Sequence, residues 1–145
     1  MTPRNSILVC IIVFLITGLT SCHKFPSEDS SNAIVQGNLL LPFAAEGKTY
    51  RVMIDYDNDG ANGCVINTTD VCGSEATVAY TIHGVPKGTY YLYAVVWVIG
   101  EVDKAPLSGD YFGYYNTGIN PPDKPNAVVP SSGSVNFDIT LFIIP

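Results

Sequence analysis

From residue 33 onward, apolar side chains recur at every second position in run after run, a period that dictates strands rather than helices. Residues 135–143 show it most cleanly: Val135, Phe137, Ile139, Leu141 and Ile143 alternate with Asn136, Asp138 and Thr140. In 48–56, Tyr50, Val52, Ile54 and Tyr56 fall on one face and Arg51, Met53 and Asp55 on the other. In 75–83, Ala76, Val78, Tyr80 and Ile82 oppose Thr77 and Thr81. Residues 33–41 open the series, closed by Pro42, while 110–115 and 127–129 are shorter candidates. Residues 89–99 are apolar on both faces, which predicts a central strand with Trp97 in or beside the core. Turn-forming Pro and Gly separate the runs, as in Gly84-Val-Pro-Lys-Gly88. The expectation is an all-β chain, a single seven-stranded antiparallel β-sandwich over residues 33–145.

The first 21 residues are of another kind. A polar start carrying Arg4 leads into an apolar run, Ile7 to Phe14 and on through Leu15, Ile16 and Leu19. At about 13 residues it is too short for a hydrocarbon core that needs about 20. It has the layout of an export signal with a small-residue cleavage site. The ending Leu19-Thr20-Ser21-Cys22 resembles the lipobox of bacterial lipoproteins. The resemblance implies cleavage before Cys22, diacylglycerol on its sulfur and a further acyl chain on its freed amine. Two or three acyl chains hold a protein on a bilayer, where one does so only marginally. His23 stands where the inner-membrane retention signal has aspartate, so the implied destination is the outer membrane. Residues 22–32 then read as the lipidated cysteine and a flexible tether rich in serine, with Pro26. Ser27-Glu28-Asp29 resembles an acidic surface-export signal, and a solvated linker has the same composition.

With Arg4 removed, six cations face thirteen acids. That balance argues against nucleic acid and anionic surfaces, both of which call for basic patches. Cys10 leaves with the leader and Cys22 takes lipid, so Cys64 and Cys72 remain for an oxidising compartment, where a lone pair usually joins. The expected Cys64–Cys72 disulfide closes a short loop in a long connection between strands.

The stretch Ile82-His-Gly-Val-Pro-Lys-Gly-Thr-Tyr-Tyr-Leu-Tyr-Ala94 resembles the V-P-x-G-x-Y hairpin of transthyretin-like and carboxypeptidase-regulatory-like domains. Gly37 and the closing run Val135-Asn-Phe-Asp-Ile-Thr-Leu141 support the likeness. The resemblance implies a prealbumin-like seven-stranded sandwich serving as a non-catalytic binding or spacer module. The chain departs from the pattern in a long insert between Asp57 and Gly73 and a loop from Gly100 to Gly109.

Two places carry candidate chemistry. Asp55-Tyr-Asp57-Asn-Asp59-Gly60 matches the first half of a calcium loop, in which alternate carboxylates converge on a hard cation. Its twelfth position is Ile66 rather than a glutamate, so Asp70, or Glu101, Asp103 or Asp110, would have to complete the set. A solvated Asn-Asp-Gly turn reads the same way. Asp110-Tyr-Phe-Gly-Tyr-Tyr115 offers Tyr111, Tyr114 and Tyr115 for stacking on sugar rings, with Asp110 or Asn116 bonding hydroxyls. Such rings also fold over an open sandwich end as core. Catalysis has little support, since His23 and His83 are the only histidines and neither flanks a nucleophile motif. The sequence therefore predicts a non-enzymatic, lipid-anchored module, structural or partner-binding. Its alternatives are a carbohydrate- or peptide-binding module, calcium-assisted or not, and more remotely a small hydrolase.

Overall fold

The computed structural model describes residues 32–59 and 65–145. The leader, the lipobox with Cys22, the tether to residue 31, and Cys64 lie outside the described residues. Every regular element among those described is a strand, and the strands form two packed sheets.

In the smaller sheet, β1 (Ala33–Leu40) runs down the middle. It pairs antiparallel with β4 (Thr77–Val85) on one side. On the other it pairs parallel with β8 (Ser134–Asn136) and β9 (Ile139–Thr140). β4 alternates as its sequence requires: Val78, Tyr80 and Ile82 are buried, while Thr77, Ala79, Thr81 and His83 face out. The outer face of this sheet is polar, with Gln36, Asn38 and Thr81 across it.

The larger sheet has the order β10-β6-β5-β2-β3, with β7 also on β5. Its members are β2 (Thr49–Asp55), β3 (Val65–Val71), β5 (Gly88–Val96), β6 (Tyr111–Tyr114), β7 (Ala127–Val129) and β10 (Phe142–Ile143). β5 is central, as its two apolar faces demand. Between the sheets the inward rows interdigitate: Val35 and Leu39, Tyr50, Val52 and Ile54, Tyr90, Leu92 and Val96, Ile139 and Leu141 are all core.

The described residues form ten strand segments where seven strands are expected, and the sandwich is not wholly antiparallel, since β1 runs parallel to β8 and β9. Three further features differ from the sequence expectation. The stretch between Asp57 and Gly73 is not a plain loop but contains β3, paired to β2 from Asp55↔Val65 to Thr49↔Val71. It carries few buried apolar residues because it is an edge strand with most side chains in solvent. The turn after Val85 does not close a hairpin: β4 and β5 belong to different sheets, so Pro86 and Lys87 arch across the sandwich. Tyr90, fully buried, donates its hydroxyl back to the Pro86 carbonyl at 2.9 Å and fixes that arch. The 135–143 run is broken into β8, β9 and β10 as it passes from one sheet to the other, which leaves Ile143 half-exposed instead of inward.

The break is built at Gly37. A Cβ there would overlap the Phe137 carbonyl oxygen, which presses against β1 and accepts the Tyr80 hydroxyl at 2.7 Å. Asp138 then takes over the pairing, its Oδ1 accepting the Asn38 N–H at 2.8 Å.

Candidate functional site

The outer face of the larger sheet is apolar where solvent-facing sheets are ordinarily polar. Tyr93, Val95 and Trp97 are buried, yet they do not belong to the core between the sheets. They point the other way, beside Arg51 and Met53 of β2 and Phe112 of β6, which the pairings Met53↔Tyr93, Arg51↔Val95 and Val95↔Phe112 bring into register. Tyr93, Phe112 and Tyr114 form a ring cluster with centroids 5.1 to 6.1 Å apart. The loop joining β5 to β6 folds back over this face, so Asp103, Lys104, Ala105 and Pro106 wall a cavity of about 420 Å³ above Arg51, Met53, Val95 and Phe112. That volume lies within the range of small-molecule sites.

The loop is held from below by Asp110. This carboxylate is fully buried: its Oδ1 accepts the N–H groups of Ile99 (2.8 Å) and Gly100 (2.9 Å), and its Oδ2 that of Leu107 (2.8 Å). Gly100 is needed because a Cβ there would meet the carboxylate. Burial pushes the Asp110 carboxyl up, but the N–H groups of Gly100, Leu107 and Ile99 together outweigh it and hold it below the usual carboxylate range. From above, the Trp97 indole donates to the Lys104 carbonyl at 3.0 Å. Arg51 pairs with Asp103, bonds Thr69 Oγ1 at 2.8 Å, and lays its guanidinium 5.4 Å from the Trp97 ring centroid.

The sequence candidates are distributed differently from expectation. Asp110 is not a rim residue for a sugar; it organises the loop. Tyr111 is core, and the half-buried Tyr115 packs edge-on against Phe137 between the sheets. Tyr114 alone of the three tyrosines joins the outer face, where its hydroxyl donates to Asn58 Oδ1 at 3.0 Å. Successive residues of β6 point to opposite faces, so the three rings cannot make one platform.

The Asp55–Asp59 turn borders the same face. Asp55 is fully buried and accepts the Tyr93 hydroxyl at 2.9 Å and the Asp57 N–H at 3.1 Å, while Asp57 Oδ1 accepts the Asp59 N–H at 3.1 Å. Burial pushes the Asp55 carboxyl up, against the lowering effect of those two donors. The residues nominated to complete a calcium set stand at the other end of the sheet. Asp70 pairs with Tyr50, five positions along β2 from Asp55, and Glu101, Asp103 and Asp110 follow the β5 end that lies opposite Tyr50. Among the described residues no group of three His, Cys, Asp or Glu side chains is placed to hold a metal ion.

Cys72 is buried at the end of β3, and burial raises its thiol pKa. Val65 and Val71, its strand's ends, are about 20 Å apart at 3.3 Å per residue. Bridged Cα atoms lie within about 7 Å of each other. A bridge between the residues flanking β3 therefore requires this strand to leave β2.

Arg51, Met53, Tyr93, Val95, Lys104 and Phe112 were not singled out by sequence. For Tyr93 and Val95 the signal was the apolar character of both faces of 89–99, for Arg51 and Met53 their place opposite the inward row of 48–56, and for Phe112 its place in the aromatic run 110–115. Comparison with protein-family models, with curated proteins and with solved structures finds no match to this chain.

Proposed function

We propose that this chain is a non-catalytic binding module, lipid-anchored through Cys22 to the outer membrane, that works through the outer face of its larger sheet. One observation carries the reading: an aromatic, loop-walled cavity on a sheet face, in a domain whose opposite outer face is polar. These apolar side chains lie outside the core between the sheets, and a concave apolar site with a few polar groups at its wall is the usual form of a small-molecule site. A transthyretin-like, prealbumin-type sandwich is part of the proposal, with ten strand segments among the described residues in place of the seven strands expected. The two-sheet packing and the close approach of the 135–141 run to Gly37 support it, while the Val85-Pro86 turn crosses between the sheets where the resemblance implies a hairpin.

Of the carbohydrate and peptide alternatives, the ring geometry disfavours sugar stacking. The planes of Tyr93, Phe112 and Tyr114 are inclined to one another by 46° to 84°, whereas a sugar-stacking platform needs rings that are nearly coplanar. An apolar body inserted among tilted rings fits them better.

The test pairs the anchor with the face. Wild-type protein expressed in a bacterial host should partition into detergent, and Cys22→Ser should stay unprocessed or lose its acyl mass. A Phe112→Ser variant should keep that partitioning while losing capture of ligands that the wild type takes from glycan, peptide and metabolite arrays. Equal capture by both proteins refutes the assignment of the face, and unchanged mass in Cys22→Ser refutes the anchor.

A further inference from the structure

The charge around the cavity goes further than its shape. The chain has seven lysines and arginines against thirteen acids, yet two of its cations, Arg51 and Lys104, line this one cavity. The single acid among the lining residues, Asp103, has a side chain 68% exposed. An ion pair so exposed contributes little, because water and salt compete for both partners. Arg51 is better fixed: its Thr69 bond and its seat over Trp97 hold the guanidinium in place with or without Asp103. Among the described residues no carboxylate pairs with Lys104. A guanidinium placed beside an apolar floor, a second cationic residue in the wall and a loosely held acid paired to Arg51 make a site in which an incoming anion replaces an internal one.

Resting on the reading of this face as a binding site, we infer that the cavity takes a small anionic amphiphile: a ring or short alkyl body carrying one carboxylate. The body lies on Met53, Val95 and Phe112, and the carboxylate takes the place of Asp103 at Arg51 and Lys104. A guanidinium suits this role because its paired N–H groups match a carboxylate in a fork and its plane can stay stacked on the indole. A ligand cation meets repulsion there, and a neutral ligand leaves Asp103 in place and gains only the apolar contact. A free small molecule is favoured over a peptide by size: the cavity holds about 420 Å³ and is walled on one side by Asp103–Pro106.

Trp97 is the sole tryptophan of the chain and lines the cavity, so its emission reports occupancy directly. The mature lipidated protein in maltoside detergent is titrated with 4-phenylbutyrate, 4-phenylbutanamide and 4-phenylbutylamine, exciting at 295 nm. The carboxylate should give a saturable change in Trp97 emission, with the amide about tenfold or more weaker, since charge-assisted hydrogen bonds are the strong ones. Lys104→Gln, at an exposed position, should weaken the carboxylate several-fold, and Arg51→Gln should bring it to the level of the amide. Asp103→Asn should bind it several-fold more tightly, a gain that misfolding does not produce. Equal binding of amide and carboxylate, or no gain in Asp103→Asn, overturns the anionic class while leaving the face as a binding site. A peptide ending in phenylalanine that binds more tightly than 4-phenylbutyrate overturns the choice of a free small molecule. No saturable change with any probe overturns both this inference and the functional reading of the cavity.

Discussion

Replacing Asp110 with alanine should remove more stability than any other single change in a loop of this protein. The carboxylate is fully buried and is the acceptor for three backbone N–H groups at 2.8 to 2.9 Å. Each donor left without a partner costs about 1–3 kcal/mol. The loop can open and admit water, which favours the lower end of that range, so the total is about 3–5 kcal/mol. Against a typical domain stability of about 5–15 kcal/mol that is a large share. For a domain near 100 residues it corresponds to a fall in Tm on the order of 15–25 °C. Asp110→Asn keeps one oxygen, enough for Ile99 and Gly100, and loses the Leu107 bond, so its cost should be about 1–2 kcal/mol. Urea melts followed by circular dichroism give the totals, and Trp97 emission follows the loop through the indole bond to Lys104. An alanine variant within 1 kcal/mol of wild type, with unchanged hydrogen exchange at the Ile99, Gly100 and Leu107 amides, would refute the reasoning.

Gly37→Ala should destabilise by about 1–3 kcal/mol or more in the same melts, because the added methyl group meets a backbone carbonyl that Tyr80 already holds in place. Wild-type stability there would mean that β1 and the Phe137 carbonyl separate freely. Asp55 and Asp110 should act oppositely on the pH profile of stability. Asp110 has a depressed folded pKa, so its contribution is present above the ordinary carboxylate range and is lost as pH falls through the folded value. Asp55 has a raised folded pKa, so its contribution is full in acid and is lost as pH rises through that value. Asp55→Asn should therefore match or exceed wild type at neutral pH and lose that relative advantage in acid; a larger deficit at neutral pH than in acid contradicts the assignment. Cys72 should resist alkylation in the native protein and react on unfolding, and a Cys64–Cys72 linked peptide from native protein would show β3 detached from β2.

What the sequence made legible was what burial imposes on composition. β2, β4 and the central β5 follow from alternation or its absence, because each has at least one face against the core. β3 escaped because Val65-Ile-Asn-Thr-Thr-Asp-Val71 sits at a sheet edge, where solvent accepts any polar residue and hydrophobic period carries no message. The change of sheet in 135–143 escaped for the opposite reason. Alternation continues through the break, and only the contact of Gly37 with Phe137, a hundred residues apart, imposes it. The cavity is assembled from alternate residues of β2, β5 and β6 plus a loop, so no local window contains it. Asp110 was visible as a carboxylate beside aromatics, but a ligand-facing aspartate and one that gathers backbone N–H groups have the same local sequence.

The position of β1 has a mechanical meaning. The chain enters the domain at Ala33, directly into a strand hydrogen-bonded on both flanks, to β4 along its length and to β8 and β9 opposite. A pull from the N-terminal side, resisted by a partner held at the loop end, runs along the axis of β1. It then loads the flanking hydrogen bonds together in shear instead of opening them one by one. The edge strand β3 would peel under far less force. The covalent route into this domain thus passes through a strand that is loaded in shear on both flanks, so tension on the N-terminal side meets resistance spread over many bonds at once.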